Sequence, residues 1–346
     1  MDRRDYLYEL SLRQKEWLFH VESVLTNIGV QGDYKVIESG DWHSGSCVLV
    51  LKESKEKNSR LFVIKPRCNE ATLLLKSIID QQELSEGFGI SIPFSRKENG
   101  IWLQDYVQAN EERTLLSVHI GGLVATTLWA GLTDLHDENL IFNDLGVHFV
   151  DTECAFDFSA EWSALNCLSA CGLVTGKCPG LAKVKVRDYS RTSINRAIQS
   201  ASKILIAGTP TELYENMDSV SLRRVLIATR IYMTFLRQRF LFGWTDSELE
   251  ARWRHLRSAN PAPDSIVSSE LLELKSWNVP FFYQRGEILL DDRGVVHNRC
   301  ELPSVTMQGV HKMLSDSAAI ESITHELCAA LELSANDTRS TQLLLN

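Results

Sequence analysis

Leu7, Leu10, Trp17, Leu18, Val21, Val24 and Leu25 fall near one helical stripe, which predicts an opening amphipathic helix over residues 6–27. The period then shortens. Cys47-Val48-Leu49-Val50-Leu51 and Leu61-Phe62-Val63-Ile64-Lys65 are short runs rich in β-branched and aromatic residues, so residues 34–64 are expected to form a small sheet. A helix over 70–83 and a further strand at 101–105 complete this part of the chain. Beyond a polar stretch at 107–113, helical periodicity marks 193–207, 222–240, 247–258 and 317–333, and the uncharged apolar run 120–132 reads as a buried helix. Residues 287–297 read as a hairpin turned at Arg293-Gly294, residues 260–264 as a loop, and the polar tail from 334 onward as mobile. The pattern predicts an α+β fold in two parts: an N-terminal helix with a small β-rich lobe over 1–108, and a large, mostly helical lobe over 109–346.

The candidate chemistry lies where the buried helix ends. Asp134-Leu135-His136-Asp137-Glu138-Asn139 is followed, after an apolar strand, by Val150-Asp151-Thr152-Glu153. An Asp and an Asn at this spacing, then a second Asp at a strand end, suit phosphoryl transfer. Asp134 would take the proton of an acceptor hydroxyl, while Asn139 and Asp151 would hold Mg²⁺ with hard oxygen ligands. Glu153, on the same strand face as Asp151, could join them. The same residues also suit a polar turn between a helix and a hairpin, with His136 fixing the loop and Glu153 as a solvated charge.

Upstream features favour the catalytic reading. Lys65 is an inward lysine on a strand, the position from which a kinase lysine reaches nucleotide phosphates. The loop Gly40-Asp41-Trp42-His43-Ser44-Gly45 has few bulky Cβ substituents and can bring backbone N–H groups toward phosphate oxygens. Arg67 suits either bidentate phosphate binding or an ordinary ion pair. Glu70, Glu83 and Glu86 are equal candidates for the partner of Lys65.

These stretches, together with Ile64-Lys65-Pro66-Arg67, Arg223-Arg224-Val225-Leu226-Ile227-Ala228-Thr229-Arg230 and Asn278-Val279-Pro280-Phe281-Phe282, resemble the dehydratase domain of class II lanthipeptide synthetases. The likeness runs in order from about Gly40 to about Gly294. It implies a bilobal, lipid-kinase-like fold that phosphorylates Ser or Thr in a peptide with ATP and Mg²⁺, then eliminates phosphate to leave a dehydroamino acid. Asp41, His43, Gly45, Lys65, Arg67, Asp134, His136, Asn139, Asp151 and Glu153 match its phosphorylation and nucleotide segments, and Arg223 and Thr229 its elimination pair. Two positions depart from the family: Ile227 stands where an Arg is expected, and Asn278 where an Asp is. No zinc-dependent cyclase is expected within this chain.

Composition narrows the partners. A chain of 346 residues, 44% hydrophobic and 23% charged, can bury the cores of two lobes. A net charge of −9 argues against nucleic acid as the main partner. The apolar run 120–132 is shorter than the ~20 residues a membrane span needs. Eight cysteines without a Cys-x-x-Cys pair, and a start lacking an apolar signal core, suit a reducing cytoplasm; Cys167, Cys171 and Cys178 read as packing thiols. The expected activity is ATP- and Mg²⁺-dependent phosphorylation of a Ser- or Thr-bearing peptide or protein, followed by elimination. A protein kinase without elimination, such as a bacterial effector, a small-molecule phosphotransferase and a pseudokinase scaffold stay open beside it.

Overall fold

A computed structural model describes residues 3–28, 34–39, 46–53, 60–66, 70–110, 112–156, 163–175, 179–209, 220–286, 288–297 and 307–344. The fold is mixed α and β, with several small sheets. No helix among the described residues is long and apolar enough to cross a membrane.

The chain forms two compact units, and neither is continuous in sequence. The first takes residues 1–68, 94–106 and 224–300; the second takes 69–93, 107–223 and 301–346. One crossing between them, at Tyr106 and Val107, adjoins the sequence division at 108. The helix after Lys65 belongs with the second unit, however, and the segment 224–300 belongs with the first.

In the first unit, Tyr34–Ser39, Leu49–Glu53, Leu61–Lys65, Ile101–Asp105 and Ser95–Glu98 lie side by side in that order as an antiparallel sheet. Alternation along the strands turns Leu49, Leu51, Ile64, Ile101 and Leu103 to one face. The opening helix, Arg3–Asn27, covers that face with Trp17, Val21, Val24 and Leu25, a spacing of four, three and one that keeps them on one helical stripe. A second core in this unit is built by the helices Thr229–Phe242, Asp246–Ser258 and Asp264–Lys275 around Tyr232, Phe235, Trp253 and Leu271. The hairpin Ile288–Asp291 with Val296–His297 turns as expected, and Asp291 fastens its turn by accepting from the backbone N–H groups of Arg293 and Val295.

The second unit is organised on Ser117–Trp129, a helix buried almost throughout. Gly121 lets it approach Arg191–Ala207 closely, because a Cβ there would lie 2.4 Å from that of Ala197. The helix ends at Trp129 rather than at 132 because Gly131 turns left-handed (φ 54°). Beside it, Ile90–Ser91 pairs parallel with Gly146–Phe149, which pairs antiparallel with Leu140–Asn143.

Two expectations need correction, and one further helix joins them. Residues 222–228 are not helical: Leu222–Arg224 is a strand, and the helix begins only at Thr229. Its side chains find partners outside a helix, Arg223 with Glu153 and Arg224 Nε with Gln284 Oε1 at 2.8 Å, and β-branched Val225 and Ile227 lower the helical preference further. The last helix does not end at 333 but runs Ser317–Leu344. Met307–Ser315 is a helix that the sequence pattern did not single out.

Candidate active site

Asp134 sits two residues after Leu132, in a short loop held by backbone bonds on both sides. Thr133 N donates to Cys154 O (3.3 Å), and Leu135 N donates to Cys171 O (2.9 Å). Leu132 and Leu135 are fully buried and pin the loop, while Asp134 between them keeps contact with solvent although surrounding atoms partly desolvate its carboxyl. This alternation requires a left-handed backbone at Asp134 (φ 62°), a conformation that Asp tolerates better than most residues.

The loop then folds on itself. Asn139 Nδ2 donates to Asp134 O at 2.8 Å, and Asn139 N to His136 O at 3.0 Å. His136 Nε2 lies 3.2 Å from Asn139 Nδ2, and its Nδ1 lies 3.3 Å from Glu138 N. A neutral imidazole has one lone pair, so the tautomer decides which contact it accepts. His136 therefore shapes the catalytic-loop candidate at short range. Val150 N donates to Asn139 O (3.1 Å), which ties the loop to the end of the hairpin and brings Asn139 to the segment of Asp151.

Asp151 Oδ1 accepts from Glu153 N at 3.1 Å, a local turn that orders the acidic segment. Thr152 points the other way, is buried, and donates to Thr72 Oγ1 at 2.9 Å. Glu153 pairs with Arg223. The strand carrying Arg223 is in turn anchored by Ser221 N donating to Glu70 Oε2 at 2.9 Å. One helix, Glu70–Gln81, thus holds both the acidic segment, through Thr72, and the arginine strand, through Glu70.

Electrostatics bind the group together. Burial raises the Asp134 carboxyl above the usual carboxylate range; His136 and Arg223 pull it down, and Asp151 pushes it up again. Burial opposes the charge on Arg223, yet the negative charge of Glu153, and then of Asp151, keeps it firmly protonated. Cys154 is buried, which pushes its thiol well up and leaves it inert.

Asp134, His136, Asn139, Asp151, Glu153 and Arg223 are therefore brought into one cluster, all within the second unit. Lys65 lies at the end of its strand in the first unit, opposite Trp102, and is half-buried. Thr229, also in the first unit, opens a separate helix, so no helical face joins it to Arg223. Asp41, His43, Gly45 and Arg67 lie outside the described residues. Sequence reasoning missed Thr72 and Arg113; the latter steadies Asp137 at 3.7 Å and lies over the Phe142 ring. Nothing local in the chain signals these pairings.

Among the described residues no three His, Cys, Asp or Glu side chains gather as a metal cage. Mg²⁺ held with a nucleotide needs only one or two carboxylates beside phosphate oxygens, and Asp151 with the Asn139 amide fits that requirement. The Glu153 carboxylate is engaged by Arg223. The chain matches no protein-family model and no curated protein.

Proposed function

We propose that the chain is a kinase-like phosphotransferase acting on Ser or Thr hydroxyls of a peptide or protein, with phosphate elimination as its second step. The observation that carries this reading is the single cluster of Asp134, Asn139, Asp151 and Arg223, since phosphoryl transfer needs a base, oxygen ligands and a cation together. The sheet bearing Lys65 and the unit bearing Asp134 would be the two lobes of a kinase-like, dehydratase-type fold. The substrate would be a polypeptide, and ATP the phosphoryl donor.

Asp134 accepts the substrate hydroxyl proton as the oxygen attacks the γ-phosphorus and the bond to the bridging oxygen breaks, releasing ADP. Its upward-shifted pKa makes it a stronger base than an ordinary Asp. Asn139 and Asp151 would hold Mg²⁺, which supplies charge neutralisation at the triphosphate. Arg223, permanently charged, stabilises phosphate as it forms on the substrate and as it departs. In elimination the α-proton leaves to a base and the phosphate carries away the Cβ–O bonding pair.

A second reading is phosphorylation alone. Arg223 is occupied by Glu153, and Thr229 starts a different helix, which favours a chain that stops at the phosphopeptide. Intact-mass analysis after incubation with ATP, Mg²⁺ and Ser/Thr-rich peptides separates the readings. A dehydrated product is expected, stable phosphopeptide supports the kinase, and neither product in any peptide or protein sinks both.

A further inference from the structure

We propose that the groove between the helices Thr229–Phe242 and Asp246–Ser258 docks an acidic, amphipathic peptide segment of a partner polypeptide. The groove has a volume of about 420 Å³ and is lined by Phe235, Gln238, Trp244, Ala251, Arg252 and His255. It lies within the first unit, and the proposal stands independently of the phosphotransfer reading.

The walls are preorganised. Gly243 turns left-handed (φ 65°) to end the first helix, and Thr245 with Glu248 forms a reciprocal capping box that starts the second. Between these two fixed points Trp244 packs edge-on against Phe235 at 5.3 Å and stacks on Phe242 at 6.1 Å. Phe242 and Leu241 remain 69% and 54% exposed, although both sit on an ordered helix. Exposed aromatic surface held rigidly in this way is characteristic of interaction sites, because little side-chain entropy is lost on binding.

Charge selects the occupant. The Arg252 guanidinium lies over the Trp244 ring at 4.5 Å, and exposed His255 lies one helical turn further along the same wall. The acids of that helix are already engaged: Asp246 with Arg239, Glu248 in the cap, and Glu250 with Lys275 (2.7 Å) and Arg254 (3.1 Å). Glu248 is the acid that also acts on Arg252 across the turn. An apolar floor with a cationic edge suits bulky apolar side chains flanked by carboxylates, and disfavours a basic peptide.

The test is fluorescence anisotropy of the full chain with a labelled peptide that places Leu and Phe on one helical face and Glu on the other. A twin peptide carries Lys in place of Glu. The acidic peptide is expected to bind, more weakly as salt rises, and the basic one not. Arg252→Glu and, separately, Phe242→Ser should each weaken binding by roughly tenfold or more. Both positions are exposed, and circular dichroism melts verify that each variant is folded; Trp244 is left intact because it anchors the connection. Equal binding of the two peptides, or binding unchanged in both variants, overturns the proposal. So does sedimentation showing that the chain self-associates through this face and that Phe242→Ser disperses it, since the occupant is then a second copy.

Discussion

Asp134 meets two opposing demands: a left-handed backbone that most side chains resist, and a carboxyl that burial makes reluctant to ionise. Asp134→Asn keeps both the shape and the tolerance for φ above zero, but removes the base. Turnover should fall by roughly two to four orders of magnitude with nucleotide affinity retained, measured by stopped-time mass spectrometry and calorimetry. The pH dependence follows from the direction of the shift. Activity needs the ionised carboxylate, so kcat should decline as pH falls through a pKa above the usual carboxylate range, and this limb should vanish in the variant. The same raised pKa makes the fold lose stability as pH rises through it. Asp151→Ala should abolish the Mg²⁺ dependence of ATP binding; calorimetry showing equal affinity with and without Mg²⁺ in the native chain would sink that assignment. Arg223→Ala should slow transfer but stall departure of phosphate more, so phosphopeptide accumulates if elimination is native; if the chain is a kinase only, phosphopeptide forms more slowly and stays the end product.

At the scale of elements, what could be read from the chain was what local period encodes. The opening helix, the lysine strand, the 101–105 strand and the hairpin at Arg293-Gly294 each show their pattern within a dozen or so residues. Asn139 and Asp151 were legible together for the same reason, because one tight hairpin joins them. Residues 222–228 were not, since their conformation is decided by Glu153 and Gln284, each 60 or 70 positions away. The helix Glu70–Gln81 belongs to this hidden class: its sequence predicts a helix, yet not that Glu70 and Thr72 grip two parts of the site. Thr72→Val tests that grip. It leaves the buried Thr152 hydroxyl without its acceptor and loosens the segment between Asp151 and Glu153. The expected result is a loss of roughly tenfold in kcat, faster amide exchange at 150–154, and recovery in Thr72→Ser. An unchanged exchange pattern would show that Thr72 does not position the acidic segment.

At the largest scale, the helices of the 224–300 segment are fixed against one another by a single buried acid, Glu270. It is fully buried, and a buried carboxylate is tolerated only when its oxygens are satisfied. Tyr232 donates to Oε1 at 2.6 Å, Trp253 Nε1 to Oε2 at 3.0 Å, and Arg257 Nε to Oε2 at 2.8 Å, with Arg257 Nη2 closing on Oε1. These donors come from two helices and converge on a third, so the network specifies how all three pack. Burial, then Glu270 itself, pushes the Tyr232 hydroxyl pKa upward, which keeps it a donor. Glu270→Gln preserves the volume but removes the charge that Arg257 requires, and leaves that guanidinium buried without its counter-ion. Breaking a buried pair in this way costs about 3–5 kcal/mol. Urea titration followed by tryptophan fluorescence reads the effect directly, since Trp253 touches the substituted side chain. The Glu270→Gln midpoint should fall sharply, and Glu270→Leu combined with Arg257→Met should restore much of the loss, because no unpaired charge then remains. A midpoint shift below about 1 kcal/mol in the single variant would mean that water or rearrangement reaches Arg257, and that the three helices are held by their apolar contacts alone.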